Sequence, residues 1–234
     1  MKTLIIGTGT GGIGDEVEDI LIYDTTHEPS LRDDIHCPSI EQLDVRDQQS
    51  IDTYMMNFGP FDEIVYSAGV SQLKWVKDLN WRDLDKVFDV NIAGAILVAT
   101  AHEKLFPSTP DTPGVRYVVL VSDAAHTPMR GSIAYCVSKA GAEMAVRCLA
   151  RELAPAWTVV GVSPGVVEGT GMTKELAESI PAFRGWTEDQ AREYEGTPPI
   201  GRRVTKREVA ETVLFALTGP QALNGSILTI NGGK

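Results

Sequence analysis

Cysteine is scarce in this 234-residue chain, with only Cys37, Cys136 and Cys148 present. Their odd number and the lack of a CxxC pair argue against the disulfide framework of small secreted domains, so a reducing, cytoplasmic setting is expected. The four histidines, His27, His36, His102 and His126, lack paired ligand spacing, and no metal is expected. Bases are few: 21 Lys and Arg against 32 Asp and Glu give a formal net charge of -11. That balance disfavours nucleic acid and anionic membranes as partners, since both need a basic face. No apolar run approaches the roughly 18 residues of a membrane span. The opening TLII meets glycine at once, unlike a signal peptide with its cleavage site.

What is present suits one soluble domain over residues 1–234 that handles a small molecule. Apolar residues make up 43% of the chain, enough for a sizeable core. Short β-rich runs at 3–6, 20–23, 40–45, 63–67, 116–121, 158–162 and 226–230 alternate with helical stretches at about 48–57, 81–105, 133–153 and 206–217. Such alternation predicts an α/β, doubly wound domain with a parallel sheet of about seven strands. Thr205 with Glu208 three residues on predicts a capping box at the start of the last helix. Residues 166–203 break the rhythm with glycines, prolines and two amphipathic pieces, TKELAESI and TEDQAREYE. This stretch reads either as a lid over a site near a strand's carboxyl end or as a solvated excursion.

The sharpest chemical signal is YCVSK, Tyr135 to Lys139. Spacing of four puts phenol and ammonium on one helical face. A nearby cation favours phenolate, so Lys139 is expected to draw the Tyr135 pKa from about 10 toward neutral, readying it for proton exchange with an alcohol or carbonyl oxygen. Alone, such a pair is more often two neighbours on a helix. It is not alone: Ser122 follows the strand-like RYVVLV, where a hydroxyl faces a site at the strand's carboxyl end. Asn91 lies in the apolar run VFDVNIAGAILVA, either as a satisfied buried amide or as the anchor of a relay water.

With these motifs in this order, the chain resembles the short-chain dehydrogenase/reductase family, from the glycine cluster to the final ILTINGGK. The resemblance implies a Rossmann-type fold and an Asn91, Ser122, Tyr135, Lys139 tetrad. In it Tyr135 is the general acid/base and Ser122 polarises the substrate oxygen. Lys139 lowers the tyrosine pKa and binds the nicotinamide ribose, and Asn91 holds the relay water. It further implies cofactor contacts at Asp44 and Val45, at Ser67-Ala68-Gly69 where the family usually has Asn-Ala-Gly, and at Pro164, Gly165 and Val167. Thr170 comes one position later than the family's usual threonine. A homodimer or homotetramer is implied, with helices 81–105 and 133–153 packing across a two-fold axis. The run SDAAHTP is also similar to that of the dihydrodiol dehydrogenases of catecholate siderophore synthesis, a more specific option for the substrate.

The dinucleotide fingerprint is irregular. In the family's frame, T-G-x-x-x-G-x-G, the last two glycines are Gly12 and Gly14 around Ile13, and Gly7-Thr8 stands reversed at the opening. G-x-G-x-x-G also fits Gly9, Gly11 and Gly14, or Gly7, Gly9 and Gly12, so the register stays open. If 20–23 is a strand, Asp24 is its terminal acid and only DEVED remains for the crossover. Five helical residues rise about 7.5 Å, too little to return the chain comfortably, so the first βαβ crossover is expected to be truncated. A weak helix dipole and four acids beside the glycines then predict weakened NAD binding. Asp33 or Asp34 has a better separation from the glycines but does not follow a strand. Asp24 is therefore the acid expected on the ribose, where it favours NAD over NADP, with NADP still open. The overall expectation is an NAD(P)-dependent oxidoreductase acting on a small or cyclic secondary alcohol or ketone. Its rival is a binding or structural protein that kept the fold and lost efficient cofactor use.

Overall fold

The computed structural model describes residues 1–9, 11–23, 34–109, 114–187, 189–190 and 198–234. Six strands among them form one parallel sheet: β1 (Lys2–Ile6), β2 (Asp34–His36), β3 (Glu63–Tyr66), β4 (Val115–Leu120), β5 (Trp157–Pro164) and β6 (Ile227–Ile230). Their spatial order is β2-β1-β3-β4-β5-β6, with every pairing parallel. The chain winds outward from β1 in one direction and from β3 in the other. Between these two strands the order reverses, and their carboxyl ends open a crevice where such sheets bind ligands.

Alternation along the strands builds a core on each face. Leu4, Ile6, Ile64, Tyr66, Tyr117, Val119, Trp157 and Val159 share one cluster, packed against α2 (Gln48–Phe58), α4 (Gly94–Leu105) and α5 (Ile133–Glu152). Ile5, Val65, Val118, Leu120, Val160 and Val162 share the other, with α1 (Ile13–Tyr23) and α7 (Lys206–Thr218). Strands buried on both faces need continuous apolar sequence, which is why RYVVLV and WTVVGV read so clearly. The capping box of α7 forms as Thr205 and Glu208 predict.

The structure overturns the truncated crossover. Residues 20–23 are not a strand but the last turn of α1, an eleven-residue helix. Its apolar residues follow the helical period: Val17, Ile20 and Leu21 are 2–3% exposed, whereas Ile22 is 45% exposed. A strand would have put Ile20 and Ile22 on the same face. The helix packs along α7, covers its face of the sheet and leads to β2, which begins at Asp34. The strand expected at 40–45 is also absent: Gln42 N and Leu43 N both donate to Ser39 O in a turn. Two expected strands are thus lost and one unexpected strand, β2, is gained, so the described residues form six strands instead of seven. The long helix expected at 81–105 is divided into α3 (Trp81–Phe88), a π-helical turn (Asp89–Ala93) and α4.

The helical period of α1 has a direct test in urea unfolding. Leu21→Ala should cost about 2–5 kcal/mol, as for a buried leucine, and Ile22→Ala less than about 0.5 kcal/mol. Comparable losses at both positions would contradict the helix.

Candidate functional site

The described members of the tetrad meet at the carboxyl ends of β3 and β4. Ser122, just past β4, caps a short 3-10 turn (Asp123–Ala125), its Oγ accepting from Ala124 N at 3.2 Å. Its hydroxyl is near enough to the Tyr135 phenol to oppose the rise of the tyrosine pKa. Tyr135 and Lys139 lie on successive turns of α5, with Lys139 Nζ 5.9 Å from the tyrosine ring centre. Lys139 is only 4% exposed and donates to Leu120 O at 2.8 Å.

Asn91 reaches the site from the π-helical turn. Its Oδ1 accepts from Val70 N, and its Nδ2 donates to Val70 O and to Ser138 Oγ, each at 2.9 Å. Ser138 Oγ in turn donates to Tyr135 O at 2.7 Å. One amide therefore fastens the loop after β3 to the helix that carries Tyr135 and Lys139. Gly69 lies between them: a Cβ there would stand 3.4 Å from Lys139 Nζ and 3.6 Å from Asn91 Oδ1. The small residue keeps these groups facing a common space.

Two tyrosines that sequence reasoning missed hold the π-helical turn and the first turn of α4 in place. Tyr66 OH donates to Val90 O at 2.5 Å and Tyr117 OH to Ala95 O at 2.7 Å. A π turn shifts the backbone register and leaves carbonyls needing donors. Ser67 lacks the amide that usually ties strands at its position, and its neighbour Tyr66 supplies a tie of a different kind. The clue in the sequence was a phenol at the end of an otherwise apolar strand, since a buried tyrosine needs a partner.

The electrostatics differ from expectation in one respect. Burial pushes the Tyr135 pKa up; the Ser122 hydroxyl pulls against this, and the Asp123 carboxylate reinforces it. Lys139 was expected to draw it down, but the lysine is itself desolvated, its pKa lowered to about 8. Asp123 is raised by burial, with Lys234, the Ala124 N–H and His126 opposing. His126 pairs with buried Glu143 on α5 at 2.9 Å, so the histidine of SDAAHTP anchors its loop to the helix of Tyr135 and Lys139.

The glycine loop follows β1. Gly7, Gly9 and Gly11 have φ of 99°, 86° and 68°, a conformation that disfavours any side chain. At Gly7 a Cβ would also stand 2.5 Å from Ala68 N, and at Gly14 2.5 Å from Gly7 O. Thr8 completes the turn and Ile13 starts α1. Gly9 and Gly11 face open space, so the loop has the shape and the backbone approach that a pyrophosphate requires. Ser67 and Ala68, just past β3, border it at Gly7, whereas Gly69 faces Lys139 and Asn91.

Other expected cofactor contacts are partly committed elsewhere. Asp44 is held by Arg46, whose Nη2 lies 2.6 Å from Oδ2, and that guanidinium keeps the carboxyl below its ordinary range. Val45 is core. Thr170 is the N-cap of α6 (Gly171–Arg184), its Oγ1 accepting from Thr173 N at 3.0 Å. Val167 O accepts from Thr173 Oγ1. Pro164 ends β5, and Gly165 packs so closely on Asn231 that a Cβ would stand 2.9 Å from that side chain. Asp24 lies outside the described residues, but its reading as a strand-terminal acid falls with the strand. The position after the second strand belongs to Cys37, whose thiol is pushed up to about 12 by burial and the adjoining Glu18 and Asp15.

Within the expected lid, α6 is fastened over the loops around the site. Phe183 stacks on Trp75 with centroids 4.7 Å apart, and Arg184 Nη2 donates to Arg130 O at 2.6 Å. Most of TEDQAREYE lies outside the described residues.

Comparison with known proteins agrees with this geometry. The family model described as Enoyl-(Acyl carrier protein) reductase matches residues 25–234. A D-threitol dehydrogenase of Mycolicibacterium smegmatis is 29% identical over 187 residues, which cover 80% of this chain and 67% of the relative. An L-xylulose reductase of Caenorhabditis elegans is 30% identical over 177 residues, 74% of this chain and 66% of the relative. The chain thus spans about two thirds of each relative in these matches. Among solved structures, a variant of actinorhodin polyketide ketoreductase with NADPH is similar at a TM-score of 0.81 and 25% identity, covering 99% of this chain and 96% of that one.

The buried lysine has a measurable consequence. Its folded pKa of about 8 lies below the ordinary 10.5, so between these values the unfolded chain holds the proton more readily. Stability of the cofactor-free protein should therefore gain from this group as pH rises from about 8 to about 10.5. The difference in urea midpoint between the protein and Lys139→Met should grow across that window. A difference independent of pH would contradict the desolvated lysine.

Proposed function

The chain belongs to the short-chain dehydrogenase/reductase family, and we propose that it interconverts a small secondary alcohol and a ketone with a nicotinamide dinucleotide. The observation that carries this reading is the convergence of Asn91, Ser122, Tyr135 and Lys139 beside a glycine loop at the switch point of the sheet. A bound nicotinamide supplies or accepts the hydride. The chain's residues do the rest: the Tyr135 phenol gives a proton to the ketone oxygen or takes one from the alcohol, and the Ser122 hydroxyl orients that oxygen. Lys139 steadies the phenolate and meets the nicotinamide ribose, while Asn91, its amide committed to Val70 and Ser138, holds the loop after β3 against α5. The glycine loop holds the pyrophosphate.

NAD is favoured over NADP. Support comes from Glu18, the acid beside the Cys37 thiol at the end of the second strand, where it would repel a 2′-phosphate. A second substrate hydroxyl is favoured by Gln72. Its Nε2 is committed to Asp83 Oδ1 at 2.8 Å, while its buried Oε1 has no donor among the described residues. The loop bearing it runs between Val70, held by Asn91, and Lys74, whose N donates to Gly131 O. The polyol relatives are consistent with this preference. We also assign the exposed apolar side chains of α5, Ile133, Val137 and Met144, at 43%, 50% and 56% exposure, to a two-fold contact with a second copy, as the family resemblance implies. No helix among the described residues is long and apolar enough to cross a membrane. The rival binding-protein reading loses its main support, because the crossover that was to be cut short is a full helix.

A screen of nicotinamide absorbance tests this function. Vicinal diols and α-hydroxyketones should outperform matched monofunctional compounds, with NAD(H) better than NADP(H). Tyr135→Phe should lower turnover by about 10²–10⁴-fold. A Tyr135→Phe protein as active as the parent would refute the proposed chemistry.

A further inference from the structure

The amides of the glycine loop already have an anion. Gly9 N and Gly12 N donate to the two carboxylate oxygens of Asp15, the second bond at 2.8 Å. Asp15 is the third residue of α1, and Gly12 stands just before the helix. A carboxylate at this position that reaches back to the residue ahead of the helix is half of a capping box, which accounts for the bond to Gly12. It does not account for the bond to Gly9, which lies three residues further back, in the turn whose N–H groups a pyrophosphate needs. The two bonds together place a negative charge in the loop, at the positive end of the α1 dipole.

We infer that Asp15 acts as an internal substitute for the cofactor pyrophosphate, so that a dinucleotide must displace its carboxylate in order to bind. This rests on the dinucleotide reading given above. Two charge-assisted hydrogen bonds are lost on displacement, and the released carboxylate stays on the first turn of α1, where it repels phosphate. Glu16 adds a second acid to that turn. On the same rim Lys206 Nζ donates to Gly11 O at 3.3 Å, a cation suited to the incoming phosphate. Asp15 therefore sets cofactor affinity below what the loop alone provides. The weakened binding expected from the sequence has its cause in this one side chain and not in a shortened helix.

Asp15→Asn and Asp15→Ser remove the charge while keeping an acceptor for Gly12 N, so the helix cap survives. Calorimetric titration of NADH and NADPH into the protein and both variants tests the inference without reference to turnover. Thermal unfolding without ligand controls for the fold. Both variants should bind NADH about tenfold more tightly than the parent, with an unliganded melting temperature equal to or below the parent's. NADH binding by the parent with equal or weaker binding by both variants overturns the role of Asp15 and leaves the dinucleotide reading standing. No binding of either cofactor to any of the three proteins overturns both.

Discussion

The site depends on one saturated amide. Asn91 uses both its N–H groups and its carbonyl oxygen on Val70 and Ser138, and by doing so it joins three segments that are far apart in the chain. A buried amide left without these partners would cost about 1–3 kcal/mol per unmet group, so the joint is also a constraint on how the segments pack. Its geometry relies on the π-helical turn between α3 and α4, and that turn relies on Tyr66 and Tyr117, rooted in adjacent central strands. The placement of the candidate site is thus transmitted from the middle of the sheet through two phenols to one asparagine, and from there to the helix of Tyr135 and Lys139.

The glycine loop is the second half of the arrangement and obeys a different constraint. Gly7 and Gly14 are dictated by backbone proximity, whereas Gly9 and Gly11 face open space and are dictated by φ alone. This division shows that the geometry of the loop rests on Gly7, Gly9, Gly11 and Gly14. It also explains why the loop tolerates the reversed Gly7-Thr8 opening: what is required is the turn and the close approach to Ala68, not the order of the two residues. The same loop is open to a carboxylate because Gly9 and Gly11 carry no side chain and face open space.

Much of this was legible in the sequence, and the exceptions have physical causes. Strands buried on both faces announce themselves through runs such as RYVVLV, and Thr205 with Glu208 marks a helix start through local hydrogen bonding. ILIY failed because four apolar residues fit either a buried strand or one helical turn. Only the packing of Val17, Ile20 and Leu21 between the sheet and α7 decides between them, and that error carried Asp24 into a role at a strand end. The tetrad was readable from residue types and order. Its supports were not, because the bonds of Tyr66, Tyr117 and Ser138 depend on contacts between distant segments. The direction of the Tyr135 pKa shift was missed for a similar reason: sequence shows that a lysine is near, but not that the phenol is buried deeply enough for desolvation to prevail.

The central claim is that this arrangement moves hydride between a carbinol carbon and C4 of a nicotinamide. The most direct measurement follows the label itself, using the best alcohol substrate deuterated at its carbinol carbon and mass spectrometry of the reduced cofactor and of the solvent. The account predicts that deuterium appears in the dihydronicotinamide ring and that none is released to water during turnover. Deuterium found in water, with an unlabelled cofactor, would contradict it.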